Sequence, residues 1–241
     1  MQVFASAAFE AANSEYLSLG SAICTSYPLS VSAWFKVNDV DNRYTVFSIH
    51  DSAPSTTQEI LTELHLNGLA AGNDYSQRVR STALGTYDDN QSGSFTAGAW
   101  LHFGVTHAGI ADRDIYPNGG AGQNDATSVN PTGVDETSVG VSLDASPTQY
   151  IDGKIAEVAV WCGTELSAAT MANLAAGDSP MTITPEPTAY WRLLTDATDY
   201  QGGTALTPTG TITYSAVDHP NVDDPPSSGG GGFLNWLLLS K

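Results

Sequence analysis

Apolar and polar residues alternate most regularly in the segment Leu29–Val37. Every second residue of this segment is apolar, whereas Ser30, Ser32 and Lys36 have the opposite parity. Because successive side chains of a β-strand point to opposite faces, a period of two predicts a strand with one buried face. The same pattern recurs, less regularly, in other short segments. These further predicted strands are residues 16–19, 44–50, 60–66, 77–84, 98–107, 138–142, 189–194 and 206–214.

The segment 154–161 differs from these strands because it has apolar residues at both parities. Such a pattern is typical of a strand that is packed between two other layers. A turn dipeptide, Asp152-Gly153, precedes it. Residues 165–176 then carry apolar side chains at helical spacing, and Gly177 is suited to end a helix. We therefore expect a buried strand followed by one short helix.

Turn-forming residues separate the predicted strands. Asn67-Gly68 is typical of a hairpin, a second hairpin is predicted around residues 115–120, and the polar residues 87–93 predict a loop. About a dozen short strands, without an internal repeat and without alternating helices, indicate an all-β protein. We predict a two-sheet antiparallel jelly-roll sandwich with one short helix and a flexible C-terminal tail.

The composition changes towards the end of the chain. The 241 residues, 41% of them apolar, are enough for one large core. Residues 218–228 are polar and contain prolines, and residues 229–232 are all glycine, which makes a flexible tether. We therefore assign residues 1–215 to the sandwich, residues 216–232 to a linker rich in proline, glycine and serine, and residues 233–241 to an apolar docking peptide.

The apolar segment 233–239 is far shorter than the roughly 20 residues that a membrane-spanning helix needs. Because exposing so much apolar surface to water is unfavourable, we expect this segment to dock in a groove. The groove would belong to its own domain, to a second copy or to another protein. The residues assigned to docking are Phe233, Leu234, Trp236, Leu237, Leu238 and Leu239.

The chain is strongly acidic, with 26 Asp and Glu residues against 8 Lys and Arg residues and a net charge of -18. This charge repels phosphate backbones and anionic lipid headgroups, so we expect no binding to nucleic acid and no electrostatic binding to membranes. We also expect no membrane span, because the apolar segment 233–239 is too short. An acidic surface that is simply solvated, or one that binds cations, fits the same composition.

The two cysteines, Cys24 and Cys162, leave two alternatives open. They form a disulfide bridge, or Cys162, at the end of the buried strand, is a thiol for which a small packed role is favoured over a reactive one. The first ten residues lack a basic region and a sustained apolar run, so no secretory signal is evident. We expect a protein of this kind to reach the outside of a cell by another route, such as lysis that releases a virus particle.

The residues that could carry catalysis do not form a recognisable set. Glu59 and Glu63 have the wrong spacing for a pair of catalytic carboxylates on one strand, and Glu157 is a lone carboxylate. We expect Glu157 to accept hydrogen bonds from the backbone or from Lys154. The five histidines lie on separate segments, and a packed structural role is favoured for His102. The sequence therefore predicts no catalytic residues.

Calcium is the one cofactor that the sequence leaves open. Carboxylate pairs in turns supply the oxygen ligands that hard cations prefer, but none of these pairs follows the EF-hand pattern, and we name no ligand set. The four tryptophans in or beside strands, at positions 34, 100, 161 and 191, are expected to pack in the core, and sugar contacts to come from rim loops such as 70–95 and 108–130. The carboxylate pairs are Asp39/Asp41, Asp88/Asp89, Asp112/Asp114 and Asp135/Glu136.

Three motifs, taken together, resemble the laminin-G-like and concanavalin-A-like jelly-roll family. They are the SVSAWF of residues 30–35, the GAWLHFGVT of residues 98–106 and the YIDGKIAEVAVW of residues 150–161. The resemblance covers about residues 9–194 and implies two antiparallel sheets stacked face to face, one of them concave. The family includes lectins, adhesion modules, calcium-dependent binders and glycosidases, so the resemblance implies a fold more than a function. Tyr190-Trp191 resembles variants common in phage-encoded and marine microbial proteins.

These observations lead to three functional hypotheses. The first is a non-enzymatic virion structural protein of a bacteriophage, as a capsid decoration or a tail or fibre component, that displays a lectin-like sandwich on the virion surface for adhesion to glycans or to the host. Its partners would be other virion proteins, copies of itself and cell-surface glycans. The alternative is a stand-alone extracellular carbohydrate-binding or adhesion module. A glycoside hydrolase is the third hypothesis.

Overall fold

The segment with the most regular alternation forms strand β3 (Leu29–Val37) of an antiparallel sheet in the computed structural model. The structure describes residues 6–52, 59–68, 73–81, 86–143, 147–201, 203–215 and 218–225, with residues 86–91 and 215 described by their backbone alone. The other strands of this sheet are β1 (Ser6–Phe9), β8 (Leu101–Gly109), β9 (Asp112–Pro117), β10 (Gln123–Asp125), β12 (Gly153–Cys162), β13 (Ala189–Trp191) and β15 (Thr213–Ser215). Among the described residues this eight-stranded sheet has the order β10-β9-β8-β3-β12-β1-β15, and β13 pairs with β12.

A second antiparallel sheet faces the first. Its strands are β2 (Tyr16–Leu19), β4 (Arg43–His50), β5 (Glu59–Asn67), β6 (Asp74–Ser81), β7 (Thr86–Ser92), β11 (Glu136–Val139) and β14 (Thr207–Thr209). In the described part of the chain this seven-stranded sheet has the order β14-β2-β11-β4-β5-β6-β7. One α-helix, α1 (Ala168–Ala176), and two 3-10 helices, Ala11–Asn13 and Pro180–Thr182, complete the described elements.

The apolar side chains at every second position of the predicted strands fill the space between the two sheets. In β3, Val31, Ala33 and Phe35 are fully buried. Phe35 meets Tyr75 of β6 edge to face with ring centroids 5.6 Å apart, and Tyr75 meets Phe103 of β8 in the same way at 5.2 Å. Aromatic pairs favour this arrangement because the positive edge of one ring meets the negative face of the other. The predicted antiparallel two-sheet sandwich is therefore confirmed.

Strand β12 is buried on both faces, as its sequence predicts, and a β-bulge explains its irregular alternation. It pairs with β3 in one register up to Ala156 and in a shifted register from Ala159. Between them, Glu157 has a positive φ of 55°. The extra residue of a bulge reverses the parity of the residues that follow it. Ile155 before the bulge and Val158 after it therefore both face the core.

Helix α1 covers part of the outer face of the eight-stranded sheet. It begins later than the apolar pattern predicts, because the side chain of Ser167 accepts a hydrogen bond from the Thr170 amide at 3.1 Å and caps its first turn. It ends at Gly177, as predicted. The glycine at position 104 allows close contact with the sheet, since a Cβ atom there would lie 2.7 Å from the sulfur of Met171, and this side chain would have to shift.

Two predicted segments differ from the structure. Residues 87–93, predicted to be a loop, lie mostly in β7, which pairs with β6 along its whole length. Residues 206–214, predicted to be one strand, are divided between β14 and β15, which belong to different sheets. Both predictions are wrong for the same reason. These strands lie at or next to sheet edges, where backbone pairing needs no alternating apolar side chains.

Cys24 and Cys162 form a disulfide, with their Cα atoms 5.5 Å apart. Of the two alternatives that the sequence leaves open, the bridge is therefore right and the packed thiol is wrong. The bridge joins the segment before β3 to the end of β12 across 138 positions of sequence.

Replacing both cysteines, in a Cys24→Ser/Cys162→Ser variant, should lower the free energy of unfolding by about 2–5 kcal/mol. The physical reason is that the bridge restricts the unfolded chain by closing a long loop. Urea denaturation followed by circular dichroism measures the change. Wild-type protein in a reducing buffer is the control and should match the variant. A variant as stable as the oxidised wild type would contradict the prediction.

Four histidines of the two sheets are buried, and burial favours their neutral form. Burial lowers the pKa of His50 to about 4 and the pKa values of His102 and His107 to about 3. Burial also lowers the pKa of His65 well below its usual range, and the positive charge of Arg78 lowers it further. The protonated form of each of these histidines is therefore disfavoured in the folded protein.

Stability should consequently fall in acid. An unfolded histidine binds its proton near pH ~6.5, so between that pH and the lowered folded values the unfolded state binds more protons. The contribution of the buried histidines is complete above about pH 6.5 and is lost as the pH falls to the folded-state pKa values of about 4 for His50 and about 3 for His102 and His107. Melting temperatures measured over this range should decrease. A His102→Gln variant, which lacks one titrating group, should lose melting temperature less steeply, and equal slopes would contradict the assignment.

Candidate functional site

A pocket of about 290 Å³ opens at the end of the sandwich where β3 ends and β12 begins. It lies between the loop that joins β3 to β4 and the segment that leads into β12. We call it the rim pocket. Its lining residues are Ala11, Asp39, Asn42, Arg43, Tyr44, Gln149, Tyr150 and Asp152.

The first wall of the rim pocket is built around Asp39. Its Oδ1 atom accepts a hydrogen bond from the amide of Asp41 at 2.9 Å, which is an Asx turn, and the hydroxyl of Tyr44 donates to the same oxygen. Burial, together with this bond to Asp39, raises the pKa of Tyr44 above its usual range. The tyrosine is therefore held as a neutral donor, and the carboxylate is fixed in place.

The backbone of this loop is held by the end of β5. The amide of Gly68 donates to the carbonyl of Asn42 at 3.0 Å. A Cβ atom at position 68 would lie 2.3 Å from the carbonyl oxygens of both Asn42 and Val40, so only glycine fits there. The Asn67-Gly68 dipeptide thus helps to shape the rim pocket in addition to ending a strand.

The second wall comes from the segment before β12. The carbonyl of Gln149, a residue with a positive φ of 55°, accepts from the amide of Thr45 at 2.8 Å. Asp152 is tied to the end of β3 twice. Its carbonyl accepts from the amide of Asn38 at 3.0 Å, and its Oδ1 atom accepts from the Asn38 side chain at 3.1 Å. These contacts bring a second carboxylate to the pocket.

The bonds within the described residues leave polar groups of the rim pocket available. They engage only the Oδ1 atoms of Asp39 and Asp152, so the two Oδ2 atoms remain as acceptors. Arg43 uses its Nε atom on Asn67 at 3.1 Å and retains its terminal nitrogens as donors. Half-buried Tyr150 adds an aromatic ring. Such a site suits a ligand that presents hydroxyl groups together with an apolar face.

Sequence reasoning found one wall of this pocket only in part. It named Asp39 as a member of a carboxylate pair, but it did not name Tyr44, Gln149 or Tyr150. A signal exists for the last two, because a polar and an aromatic residue stand shortly before the Asp152-Gly153 turn, with only Ile151 between them and the turn. Their partnership with Asp39, which lies more than a hundred positions earlier, is decided by the pairing of β3 with β12.

Glu157 is a buried acceptor on the outer face of the eight-stranded sheet, with 1% of its surface exposed. The hydroxyl of Tyr190 donates to it, and Arg192 Nε and His219 Nε2 lie 3.3 Å and 2.8 Å from its Oε1 atom. The prediction that Glu157 accepts hydrogen bonds is right. The predicted donors, the backbone or Lys154, are wrong, because the partners of this carboxylate are three other side chains and Lys154 donates to Asp218.

The acidic residues of β5 also have structural partners. Glu63 is fully buried, its Oε1 atom lies 3.2 Å from Arg78 NH1, and its Oε2 atom accepts from Ser142 at 2.6 Å. Glu59 accepts from the amide of Thr132 at 3.0 Å. Glu63 therefore stabilises the outer face of the seven-stranded sheet through an ion pair. Glu59 and Glu63 contact different groups, which agrees with a sequence spacing that does not suit a catalytic pair.

The core packing predicted for the four tryptophans is right for two of them and wrong for the other two, whereas His102 lies where the sequence predicts. Trp161 and Trp191 are buried, whereas Trp34 and Trp100 are half-buried on the outer face of the eight-stranded sheet. His102 is fully buried, and its Nε2 atom lies 2.8 Å from the hydroxyl of Ser32. The packed structural role of His102 is confirmed.

The predicted docking residues Phe233, Leu234, Trp236, Leu237, Leu238 and Leu239 lie outside the described residues. So do the side chains of Asp88 and Asp89. Among the described residues, no three His, Cys, Asp or Glu side chains are grouped so that they could hold a metal ion. Calcium binding stays a prediction. Within the same residues, no helix has the length and apolar character needed to cross a membrane.

Three solved structures illustrate which proteins this chain is similar to in fold. A candidate carbohydrate-binding protein from Bacteroides ovatus superposes with a TM-score of 0.60 at 16% identity, over 90% of this chain and 61% of that chain. A CBM40 domain of a Ruminococcus gnavus sialidase, bound to α2,3-sialyllactose, gives 0.54 at 12% identity, over 66% and 93%. Domain 4 of AbnA, an extracellular arabinanase of Geobacillus stearothermophilus in complex with arabinotriose, gives 0.52 at 18% identity, over 66% and 72%.

At these identities the likeness concerns the fold alone. No curated protein matches the sequence. The sequence profile of the concanavalin A-like lectin/glucanases superfamily, in contrast, matches residues 11–172. This range is more than half of the chain; it begins at Ala11, which lines the rim pocket, and ends within helix α1. The two-sheet architecture and the profile agree, and the chain belongs to the concanavalin A-like lectin/glucanases superfamily.

Proposed function

We propose that the chain is a non-enzymatic glycan-binding module and that the rim pocket is its binding site. The observation that carries this proposal is the combination of two carboxylates, two tyrosines and side-chain amides around one open pocket. Sugar hydroxyls act as both donors and acceptors, so they can pair with carboxylate, amide and guanidinium groups at once. The apolar faces of sugar rings pack on aromatic side chains.

The size and charge of the rim pocket indicate what kind of glycan it binds. Its volume of about 290 Å³ lies near the lower end of the range of roughly 300–1,000 Å³ for small-ligand sites. One sugar residue or the end of a chain therefore fits better than a long polymer. Asp39 and Asp152 outnumber the single cation, Arg43, which favours neutral sugars over anionic ones.

The family and its structural neighbours support this proposal. The AbnA domain was solved with arabinotriose, and the CBM40 domain was solved with sialyllactose. Both share the sandwich fold with this chain. Because fold similarity does not transfer a ligand, the ligand of the rim pocket is inferred from the residues that line it.

Binding to a panel of neutral oligosaccharides should be weakened about tenfold or more in the Asp152→Asn and Tyr150→Ala variants. The first change removes a charged acceptor, and the second removes an aromatic surface. A glycan array followed by isothermal titration calorimetry of the best ligand measures the effect. Glu186→Gln and Tyr200→Ala are matched controls, because both residues are exposed outside the rim pocket and should leave affinity unchanged.

Two results would contradict the proposal. One is equal loss of affinity in the control and pocket variants. The other is release of new reducing ends from a β-glucan, lost in a Glu157→Gln variant, because it would favour the glycoside hydrolase hypothesis.

A second candidate function places this module on a bacteriophage particle, as a capsid decoration or a tail or fibre component that binds host-surface glycans. The specific observation is the apolar segment 233–239 behind four glycines, which is suited to docking on a neighbouring virion protein or a second copy.

Deleting residues 229–241 should leave a folded sandwich that no longer enters particles, because the docking segment is lost. Circular dichroism checks folding, and quantitative mass spectrometry of purified particles checks incorporation. Deleting the four glycines alone is the control for tether length. Unchanged incorporation of the shorter deletion together with loss for the longer one would support the anchor, whereas unchanged incorporation of both would contradict it.

A further inference from the structure

A short segment, residues 218–225, crosses the outer face of the eight-stranded sheet. We call it the strap. It begins at Asp218, whose Oδ2 atom lies 3.0 Å from Lys36 Nζ and 2.7 Å from Lys154 Nζ. The indole nitrogen of Trp100 donates to its Oδ1 atom at 2.8 Å, and its carbonyl accepts from the hydroxyl of Ser6 at 2.6 Å. Strands β1, β3 and β12 and the segment before β8 thus each contribute a side chain that contacts Asp218.

Two lysines that lie close together are unusual in a chain with so few of them. The sequence has 8 Lys and Arg residues against 26 Asp and Glu residues, and only three of the basic residues are lysines. Lys36 and Lys154 lie directly opposite each other in the pairing of β3 with β12. Like charges in this cross-strand position repel each other. A carboxylate between them removes that repulsion, and both of its oxygens receive donors.

The rest of the strap is held mainly by polar contacts. The amide of Asp223 donates to the carbonyl of Gly177 at 2.7 Å, and Arg192 NH2 lies 3.2 Å from Asp224 Oδ1. A Cβ atom at position 177 would lie 2.4 Å from the carbonyl of Asn221, so the glycine at the end of α1 also makes room for the strap. Val222 is buried.

The strap also closes the site around Glu157. The ring of His219, one position after Asp218, has no exposed surface and lies against the Glu157 carboxylate at 2.8 Å. The fully buried Tyr190 donates to the same carboxylate. Where the strap lies across the sheet, this cluster of ionisable groups is separated from solvent.

We propose that Lys36, Lys154 and Trp100 form a carboxylate-binding site whose ligand is Asp218 of the same chain. The charge of this ligand holds the strap across the sheet and over Glu157. The site is distinct from the rim pocket and does not depend on glycan binding. The ligand class is a carboxylate, because two ammonium groups and one neutral N–H donor match its two oxygens.

The strength of the docking should depend on charge and on salt. The side chains of Lys36, Lys154 and Asp218 are about a quarter exposed, at 26%, 25% and 27%. Ion pairs with this exposure are weakened by dissolved salt. Docking by apolar area would show the opposite behaviour, since salting-out ions strengthen apolar burial.

Hydrogen–deuterium exchange of the full-length protein tests the proposal. In an Asp218→Asn variant, the amides of the strap, including the Asp223 amide bonded to Gly177, should exchange about tenfold faster or more, because the charge-assisted bonds are lost. Asp223→Asn is the matched control, as this exposed side chain lies in the same segment, and its strap should exchange as in the wild type. Amides of β3 should be unchanged in both variants.

A second variant keeps the test independent of position 218. Lys36→Gln/Lys154→Gln should produce the same increase in strap exchange. About 1 M sodium chloride, at which the Debye length is about 3 Å, should accelerate strap exchange more in the wild type than in Asp218→Asn, which lacks the ion pairs of Asp218 but retains that of Arg192 with Asp224. Unchanged strap exchange in Asp218→Asn, or an equal increase in Asp223→Asn, would overturn the proposal.

Acetate tests the ligand class directly. In an Asp218→Ala variant, the site lacks its own carboxylate, so sodium acetate should raise the melting temperature more than equimolar sodium chloride does. The same comparison in the wild type, where Asp218 competes for the site, is the control and should give a smaller difference. Equal differences in the two proteins would show that the lysine pair has no preference for carboxylates, and the proposal would fail.

Discussion

The antiparallel pairing of β3 with β12 is the interaction on which the rest of this structure depends. The ladder runs from Val37 opposite Gly153 at one end to Leu29 opposite Cys162 at the other. The rim pocket lies beyond the first end, and the disulfide of Cys162 lies at the second. Because a buried strand must have its backbone groups paired, these two strands cannot separate without large loss of stability. They therefore form a rigid frame for both ends of the sandwich.

An irregularity inside that ladder decides which chemistry faces outward. Regular alternation would put Glu157 on the same face as Ile155, which is inside the core. An unpaired carboxylate there would be strongly destabilising. The bulge turns Glu157 to the outer face, where Tyr190 and Arg192 donate to it. A backbone conformation with positive φ at a non-glycine residue carries a cost, and the ion pair and hydrogen bonds formed by this carboxylate offset it.

The few cations of the chain are used mostly inside the fold. Arg78 pairs with Glu63, Arg113 pairs with Asp125, and the lysine pair holds the strap. The rim pocket contains two carboxylates and a single guanidinium. The rim pocket is therefore acidic, like the chain as a whole. The carboxylate-binding site on the outer face is basic instead, and a carboxylate of the same chain occupies it. The two sites differ in electrostatics for this reason, although both border the ladder between β3 and β12.

The sequence by itself determined the class of fold, the central strands, the helix with its end at Gly177 and the structural role of His102, because apolar periodicity and turn chemistry are local properties. It did not determine the edge strand β7, whose polar residues pair through the backbone, or the choice of the disulfide over the free thiol. The rim pocket and the Asp218 site were decided by tertiary structure alone. Asp39 and Gln149 line one pocket, and Lys36 contacts Asp218, only after distant segments have paired. No local pattern records which of many carboxylates will lie beside which donor.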